Sequence, residues 1–579
     1  GTVYLEIGDR YKVSMKCNGN EFTFTVPALQ SGEKVRLYAV SDDKWQSPYT
    51  DEFVSYPGKG TEADPYLVYT ASDLQGVYKR GYYKLMNDVD LTEWINAKSP
   101  KEGWPAIGKN GISEIFFDGG GHTVSGLWCK TDAGYNGLFS NFPGGYIRNL
   151  NVKVADGKSV SGGDYTGILI GRFAKGTINN VTVEGNVAST CRGGGIVGGA
   201  EDLAINSASF AGKVTSTSND AKLGGIAGET NGGKLTRCSA NADIEATGEN
   251  TIAGGLAGVA NSDISVSYSK GSVTLTGAGS YAGGLLGQNL SSGTVANSYS
   301  RASASSKLYA AGLVAYNYGA VSNSYAKGNV SSQYYGAGVV GYNDGASATL
   351  SGCVAGNPKV DISDQSGWTI RVLGGFKNGA AQPGENNYAL NTIIVSVNGV
   401  PKKVNDNILD GYAKTEEELE QQSTYTGLGW DFSDAWSIDE GHAWPLLNMV
   451  EKGLIESIVV SPETVSLQVG ETCQLTATVS PADATNKTLK WVSSDRNVAK
   501  VSNGLVTAVS EGKATITVLS TDGTGKSAQV VVTVTPASGI HAVVEDSKNA
   551  NVIYDLQGRR VYKPTKGVYV INGKKILIK

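Results

Sequence analysis

The sequence predicts an all-β protein: a parallel, right-handed β-helix, or solenoid, flanked by β-sandwich modules. Three observations carry this. A short glycine-rich motif returns every 26 to 30 residues between about residues 134 and 356, and self-similarity at such a period marks stacked structural repeats. Between motifs lie short apolar runs separated by glycine, serine and asparagine, the pattern of brief strands joined by tight turns. Glycine supplies 77 of 579 residues without the three-residue period of collagen, which assigns it to turns.

Residues 1–56 alternate apolar and polar side chains, as in Phe22-Thr23-Phe24-Thr25-Val26 and Val35-Arg36-Leu37-Tyr38-Ala39-Val40. They read as a small β-sandwich segment, truncated at its start. The solenoid is expected over 57–450. Its motif reads YNGLFS at Gly137, YTGILIG at Gly167, GGGIVGG at Gly195, LGGIAGE at Gly225 and AGGLAGV at Gly255. It continues as AGGLLGQ at Gly284, AAGLVAY at Gly312 and GAGVVGY at Gly338. A second recurring segment follows most of the motifs, and a third short apolar position (Val187, Val214, Ile244, Val273, Val330) closes the unit. One such unit cannot bury its apolar side chains alone, whereas stacked units can.

Aligning the second segments gives columns. The first holds Ile178, Ile205, Leu235, Ile264, Val295, Val321 and Leu350; three places on stand Val181, Ala208, Cys238, Ser267, Ser298, Ser324 and Cys353. Five places on stand Val183, Phe210, Ala240, Ser269, Ser300, Ala326 and Ala355. Mostly small or apolar, these columns predict a narrow interior. A step of three does not fit the strand period of two, so a bulge is expected near the second column.

These repeats resemble the GLUG motif family of bacterial exported proteins. The match rests on GGLAG and GGLLG with their following segments SVSYSKGSV and ANSYSRASA. The entry segment around Gly60-Thr61-Glu62-Ala63-Asp64-Pro65-Tyr66, with Trp104-Pro105 and Phe117-Asp118-Gly119, is similar to the usual start of such a region. The exit segment, with Gly429-Trp430-Asp431-Phe432, Trp436 and Trp444-Pro445, is similar to its usual end. Aromatic-rich ends are expected to cap the exposed strands of the terminal coils. Residues 357–410 depart from the repeat, and Asn398-Gly399 predicts a hairpin or an extra turn there.

Residues 454–536 resemble the bacterial immunoglobulin-like group 2 family. The run is Ile458-Val459-Val460-Ser461-Pro462, Val469-Gly470-Glu471, Trp491, Gly504-Leu505-Val506 and Gly512-Lys513-Ala514. Regular short strands and a core tryptophan suit a sandwich independently. Residues 537–549 read as a polar linker. The segment 550–579, with Tyr554-Asp555-Leu556-Gln557-Gly558 and Gly567-Val568-Tyr569-Val570-Ile571, resembles a shortened type IX secretion sorting segment of Bacteroidetes.

Composition narrows the chemistry. The net charge of −5 argues against a nucleic-acid partner. No apolar stretch is long enough to span a bilayer. The chain opens in what reads as mature sequence, as expected once an export signal has been removed. The six cysteines (Cys17, Cys129, Cys191, Cys238, Cys353, Cys473) are far apart, form no CxxC pair and read as buried small hydrophobes. His122, His442 and His541 stand in unrelated segments outside any HExxH motif. No metal, cofactor or catalytic residue is therefore expected. A glycosidase needs two carboxylates roughly 5–9.5 Å apart. Glu184, Glu229 and Asp243 are isolated, and Asp88, Asp90 and Asp118 form the nearest acidic group, expected to hold turns.

One stripe is a candidate binding surface. Tyr268, Tyr299 and Tyr325 share a column, and Lys270, Arg301 and Lys327 share the column two places on. Residues two apart on a strand face the same side, so a solvent-facing tyrosine ladder beside a basic ladder is expected, as a platform for sugars or an acidic polymer. The expected function is a secreted or cell-surface, outward-facing, adhesin-like binding protein, monomeric, whose partner is an extracellular glycan or host surface protein. The alternative is a polysaccharide lyase or glycoside hydrolase with its cleft on the solenoid flank.

Overall fold

The computed structural model describes residues 1–7, 11–16, 34–47, 53–54, 58–77, 80–108, 114–131, 134–384, 386–449, 455, 457–480, 484, 487–520, 526–536, 552–571 and 573–578. Strands dominate throughout. The chain divides into two compact units, one up to Leu454 and the other from Ile455 onward.

The first unit opens with an antiparallel sheet of Thr2–Ile7, Tyr11–Lys16, Lys34–Val40 and Phe53–Val54. Residues Phe22–Val26, which carry the other alternating run, lie outside the described residues.

A parallel solenoid follows. Its coils stack in register: Ile178 faces Ile205, then Leu235, Ile264, Val295, Val321 and Leu350. All three expected columns are buried, and so are Ile168, Ile196, Ile226, Leu256, Leu285, Leu313 and Val339 beside the motif. The interior changes along its length. The first coils stack Phe117, Phe139, Phe142 and Phe173, with centroids 5.0–5.9 Å apart. Later coils carry no phenylalanine there and combine leucine and valine with alanine and serine.

Buried serine is tolerated because each hydroxyl is fully used. Ser267, Ser298 and Ser324 each donate to the carbonyl two residues earlier. Each also accepts the backbone N–H of the preceding coil, from Cys238, Ser267 and Ser298, at 3.1–3.2 Å. A second internal ladder runs Asn289 to Asn317 to Asn343, amide to carbonyl at 2.8 Å.

In place of the expected bulge, a corner in the left-handed region separates the first two columns. Asn149, Asn180, Ser207, Arg237, Val266, Asn297, Asn323 and Gly352 all have φ between 46° and 62°. One left-handed residue turns the strand and resets which side chains point inward. Asparagine recurs because its short amide tolerates that conformation.

The motif itself is a sterically closed corner. Nine short strands, from Tyr135–Asn136 to Trp368–Ile370, form a second parallel sheet folded back on the main one. Two adjacent glycine columns make the fold-back. A Cβ on Gly194, Gly224, Gly254 or Gly283 would run into a carbonyl of its own coil three residues on. A Cβ on Gly195, Gly225, Gly255 or Gly284 would run into the next coil's carbonyl. At these positions space, not positive φ, favours glycine, and where the column carries Ala311 and Ala337 instead the corner admits a methyl group. The observed register also corrects the motif alignment: Tyr165 pairs with Arg192 and Gly167 with Gly194. Gly137 and Gly167 thus belong to the first glycine column, and Ile168 stands where later coils have the second glycine.

After the repeats, Ile394–Val397 pairs antiparallel with Val400–Pro401 across Asn398-Gly399, both at positive φ, as the dipeptide predicted. The exit segment departs from expectation. Two short helices, Glu416–Leu419 and Gln422–Thr426, and the pair Trp436–Ser437 with Leu446–Leu447 lie along the flank of the coils. Trp430 Nε1 donates to the Gly352 carbonyl at 2.8 Å and Trp436 Nε1 to Asn297 Oδ1 at 3.2 Å. Asn323 Nδ2 donates to the Gly429 carbonyl at 3.2 Å. The strap grips the left-handed corner at Asn297, Asn323 and Gly352, whose polar groups pair with it.

The second unit packs Ser457–Ser461, Thr464–Gln468, Leu489–Ser493, Gly512–Ser520 and Ser527–Thr535 with four further strands, Thr472–Gln474, Thr476–Ser480, Ala499–Ser502 and Leu505–Ala508, around one core that includes Val506, Val518 and Val532. Trp491 is only partly buried, at the edge of that core, whereas a central position was expected. The linker expected at 537–549 lies outside the described residues. Residues 552–578 form a four-stranded antiparallel sheet.

Candidate functional site

The expected ladder exists, and its rings stack as the register dictates. Tyr268 pairs with Tyr299 and Tyr299 with Tyr325. Their centroids are 5.0 and 4.8 Å apart, with planes 4° from parallel. The row does not face solvent, which corrects the expectation. Tyr299 and Tyr325 are 4% and 0% exposed, and only Tyr268 is half-exposed. The strap covers them: Trp430, Trp436 and Trp444 lie 5.5–6.3 Å from the Tyr325 ring, and Tyr325 Oη donates to the Pro445 carbonyl at 3.0 Å. Burial pushes the Tyr299 phenol up to about 12 and raises that of Tyr325 as well.

The basic column divides in the same way. Lys270 and Arg301 are exposed and sit over the rings of Tyr268 and Tyr299, at 5.2 and 5.3 Å. Lys327 instead lies 4.0 Å from the Trp444 ring and 3.4 Å from Glu416. Burial there lowers its ammonium below the usual lysine range. Arg301, whose guanidinium lies 3.5 Å from the Tyr325 hydroxyl, and Lys327 help hold the strap's surroundings, and Lys270 stays at the open margin.

A second aromatic row stands open on the other sheet. Tyr281, Tyr309, Tyr335 and Trp368 occupy one column of the nine-stranded sheet. All four are half-exposed. Successive centroids are 5.3, 4.8 and 5.0 Å apart, but the planes are inclined by 85°, 27° and 31°. A parallel column across the glycine corner holds Gln288, Tyr316 and Tyr342. Tyr316 packs 5.4 Å from Tyr281 and 5.2 Å from Tyr309, so the two columns make one ridge. Tyr316 Oη donates to Asp344 Oδ2 at 2.8 Å, and Asn378 and Lys377 also face that carboxylate.

The same ridge changes character toward the N-terminus. Its column continues back through Ile252, Lys222, Arg192, Tyr165 and Tyr135. The charges there are closed upon themselves: Arg192 and Lys222 both pair with Glu229, and Arg172 with Glu201. Sequence counting did not single out the aromatic half, although its signal is plain. Tyr281, Tyr309 and Tyr335 each stand three places before a motif glycine.

The carboxylates Asp88, Asp90 and Asp118 hold turns. Asp88 accepts the Thr123 N–H at 2.9 Å, with His122 Nδ1 3.3 Å away. Asp90 accepts the Thr92 N–H, and hydrogen bonds from Thr92 lower its carboxyl. Asp118 pairs with Arg148 at 3.0 Å and accepts the Gly120 N–H. His442 is exposed beside Asp439, and His541 lies outside the described residues. Among the described residues, no group of three His, Cys, Asp or Glu could hold a metal ion. Cys129, Cys238 and Cys353 are buried, and burial pushes the last two up to about 12. Cys191 and Cys473 are half-buried, against expectation, and Cys17 lies outside the described residues. No described helix is long and apolar enough to cross a membrane.

Comparison with known proteins finds partial matches. Halomucin of Haloquadratum walsbyi is 34% identical over 161 residues, covering 26% of this chain and 2% of its own length. An alpha-L-arabinofuranosidase of Bifidobacterium longum subsp. longum is 46% identical over 77 residues, 13% of this chain and 7% of the enzyme. The chain thus spans a small part of the curated relatives it matches. A solved structure described as an IgA1 protease aligns with 64% of this chain and 30% of that one, at 16% identity and a TM-score of 0.33. The segment 455–532 matches the family described as bacterial Ig-like domain (group 2), and this module belongs to it.

Proposed function

We propose that this chain is a secreted or cell-surface, adhesin-like binding protein whose solenoid presents a ligand-contacting flank and whose Ig-like module serves as a spacer. The observation that carries the reading is the open aromatic ridge. Large aromatic side chains left half-exposed on a rigid sheet offer a preformed contact surface at little entropic cost. The Ig-like domain and the solenoid both suit an extracellular setting. An extracellular glycan or a host surface protein is the ligand class this ridge fits, and the glycosidase name of one partial relative suits a glycan-facing role. In this reading the chain binds without turnover, because Asp88, Asp90 and Asp118 are engaged in turns and an ion pair.

The test is a glycan-array and host-cell binding screen on the full chain, run beside a polysaccharide turnover assay. Saturable binding without product release is expected. Product release abolished by Asp88→Asn, Asp90→Asn or Asp118→Asn, or no binding to any glycan or cell surface, would overturn the reading.

A further inference from the structure

We propose that the ridge of Tyr281, Tyr309, Tyr335 and Trp368, with Gln288 and Tyr342 beside it and the buried Tyr316 supporting it from beneath, binds an uncharged, extended, β-1,4-linked glycan lying along the solenoid axis, one sugar per coil. This deepens the reading above and rests on it. Four features carry it.

The first is the repeat. Register fixes one ring per coil, and the measured spacings of 5.3, 4.8 and 5.0 Å follow the strand spacing. A surface that repeats at this interval is complementary to a polymer that does the same. An extended β-1,4-linked pyranose chain advances by close to one strand spacing per sugar. An extended peptide does not: its like-facing side chains recur at roughly 6.7 Å, twice the rise per residue.

The second is ring attitude. In the covered row the planes are 4° from parallel, so each ring's faces are taken up by its neighbours. In the open row successive planes are inclined by 27° to 85° and all four rings stay half-exposed, although Tyr281 is stacked on Tyr316 with planes 13° apart. Aromatic faces turned to water accept the apolar C–H faces of sugars, while phenol and amide groups at the rim meet hydroxyls.

The third is charge. Lys377, over the Tyr342 ring at 5.5 Å, is 3.8 Å from Asp344, which also fixes the Tyr316 hydroxyl. With cation and carboxylate already paired, the ridge selects neither an acidic nor a basic polymer. The fourth is length. The aromatic column begins at Tyr281, after Ile252, and ends at Trp368, the last strand of its sheet. Four rungs set a footprint of about four sugars.

The experiment is calorimetric titration of the full chain with β-1,4-linked glucose and mannose oligosaccharides, from disaccharide to hexasaccharide, with α-1,4-linked glucose oligosaccharides in parallel. Affinity should rise with each sugar up to the tetrasaccharide or pentasaccharide and then level off. It should be insensitive to salt, and absent for the α-linked series, whose chain curves away from a straight ridge. Tyr335→Ala and Trp368→Ala should each weaken the tetrasaccharide about tenfold, the loss of one aromatic contact, with melting temperatures showing both variants folded. Binding without length dependence, equal binding of the α-linked series, or affinity that falls with salt would overturn the axial-glycan proposal. So would a full chain that binds cells or arrays yet ignores every oligosaccharide, an outcome that leaves the broader binding reading standing.

Discussion

The two aromatic rows of the solenoid are built by the same rule and end in opposite states. Each places a tyrosine at one column of consecutive parallel strands, so ring spacing follows strand spacing in both. They differ in what lies over them. The Tyr268 row runs beside the left-handed corner, where Asn297, Asn323 and Gly352 supply polar partners, and the strap docks there with three tryptophans. The Tyr281 row runs beside the glycine corner, where the backbone is already packed against itself and offers an added segment no comparable grip. Column identity therefore fixes stacking but not exposure. Exposure is decided by the neighbouring corner and by whether a distant segment can hydrogen-bond to it.

The largest expected effect breaks what the rows share. Leu256→Asp puts a charge without a partner into a core position that is fully buried. Such a substitution costs several kcal/mol, on the order of the whole margin of stability. Loss of the cooperative melting transition, with aggregation, is expected, and a folded variant would mean the coils do not depend on this core.

Next comes the contrast between rows. Tyr325→Ala removes a fully buried ring held by three tryptophans and should destabilise by about 3–5 kcal/mol. Tyr335→Ala, at a half-exposed ring, should cost about 1 kcal/mol. Denaturant titration reads both. Equal costs would show that the strap contributes nothing to its row.

The smallest effect concerns pH. Burial raises the Tyr299 phenol from its ordinary 10.0 to about 12. The folded state then holds a proton that the unfolded state releases. The stability involved is complete below pH 10 and is lost as pH climbs toward about 12. Melting temperature should fall across that window, and Tyr299→Phe, with no phenolic proton, should blunt the fall. A variant that tracks the parent would place the loss on other groups.

Much of the solenoid was legible because its information is periodic. The columns at Ile178, Val181 and Val183 follow from spacing alone; the step of three between the first two signalled a break in the strand, which is a left-handed residue in each coil and not the expected bulge. The hairpin at Asn398-Gly399 follows from a dipeptide. The covering of Tyr325 was not legible. Its hydroxyl meets a carbonyl 120 positions away, and nothing local to either residue specifies that meeting. The exit tryptophans were expected at a solenoid end because aromatic caps commonly serve there, whereas the free hydrogen-bonding groups of the corner draw them to the side. The open row was recoverable by the counting that found the covered one.

The glycine corner also governs how this chain can vary. Between the closing strand and the next fold-back, coils carry either two residues, as between Ser189 and Arg192, or five, as between Ser216 and Lys222. Length drifts freely there, but at the corner each glycine is fitted against its own coil and the next, so a single inserted residue would throw every later rung out of alignment. Whole coils are the unit of change. Duplicating one coil of the Tyr309 type would add one rung and lengthen the ridge by one step, leaving the existing rungs as they are. Reach along a polymer is then inherited as a copy number, adjustable by recombination between near-identical repeats without any new side chain.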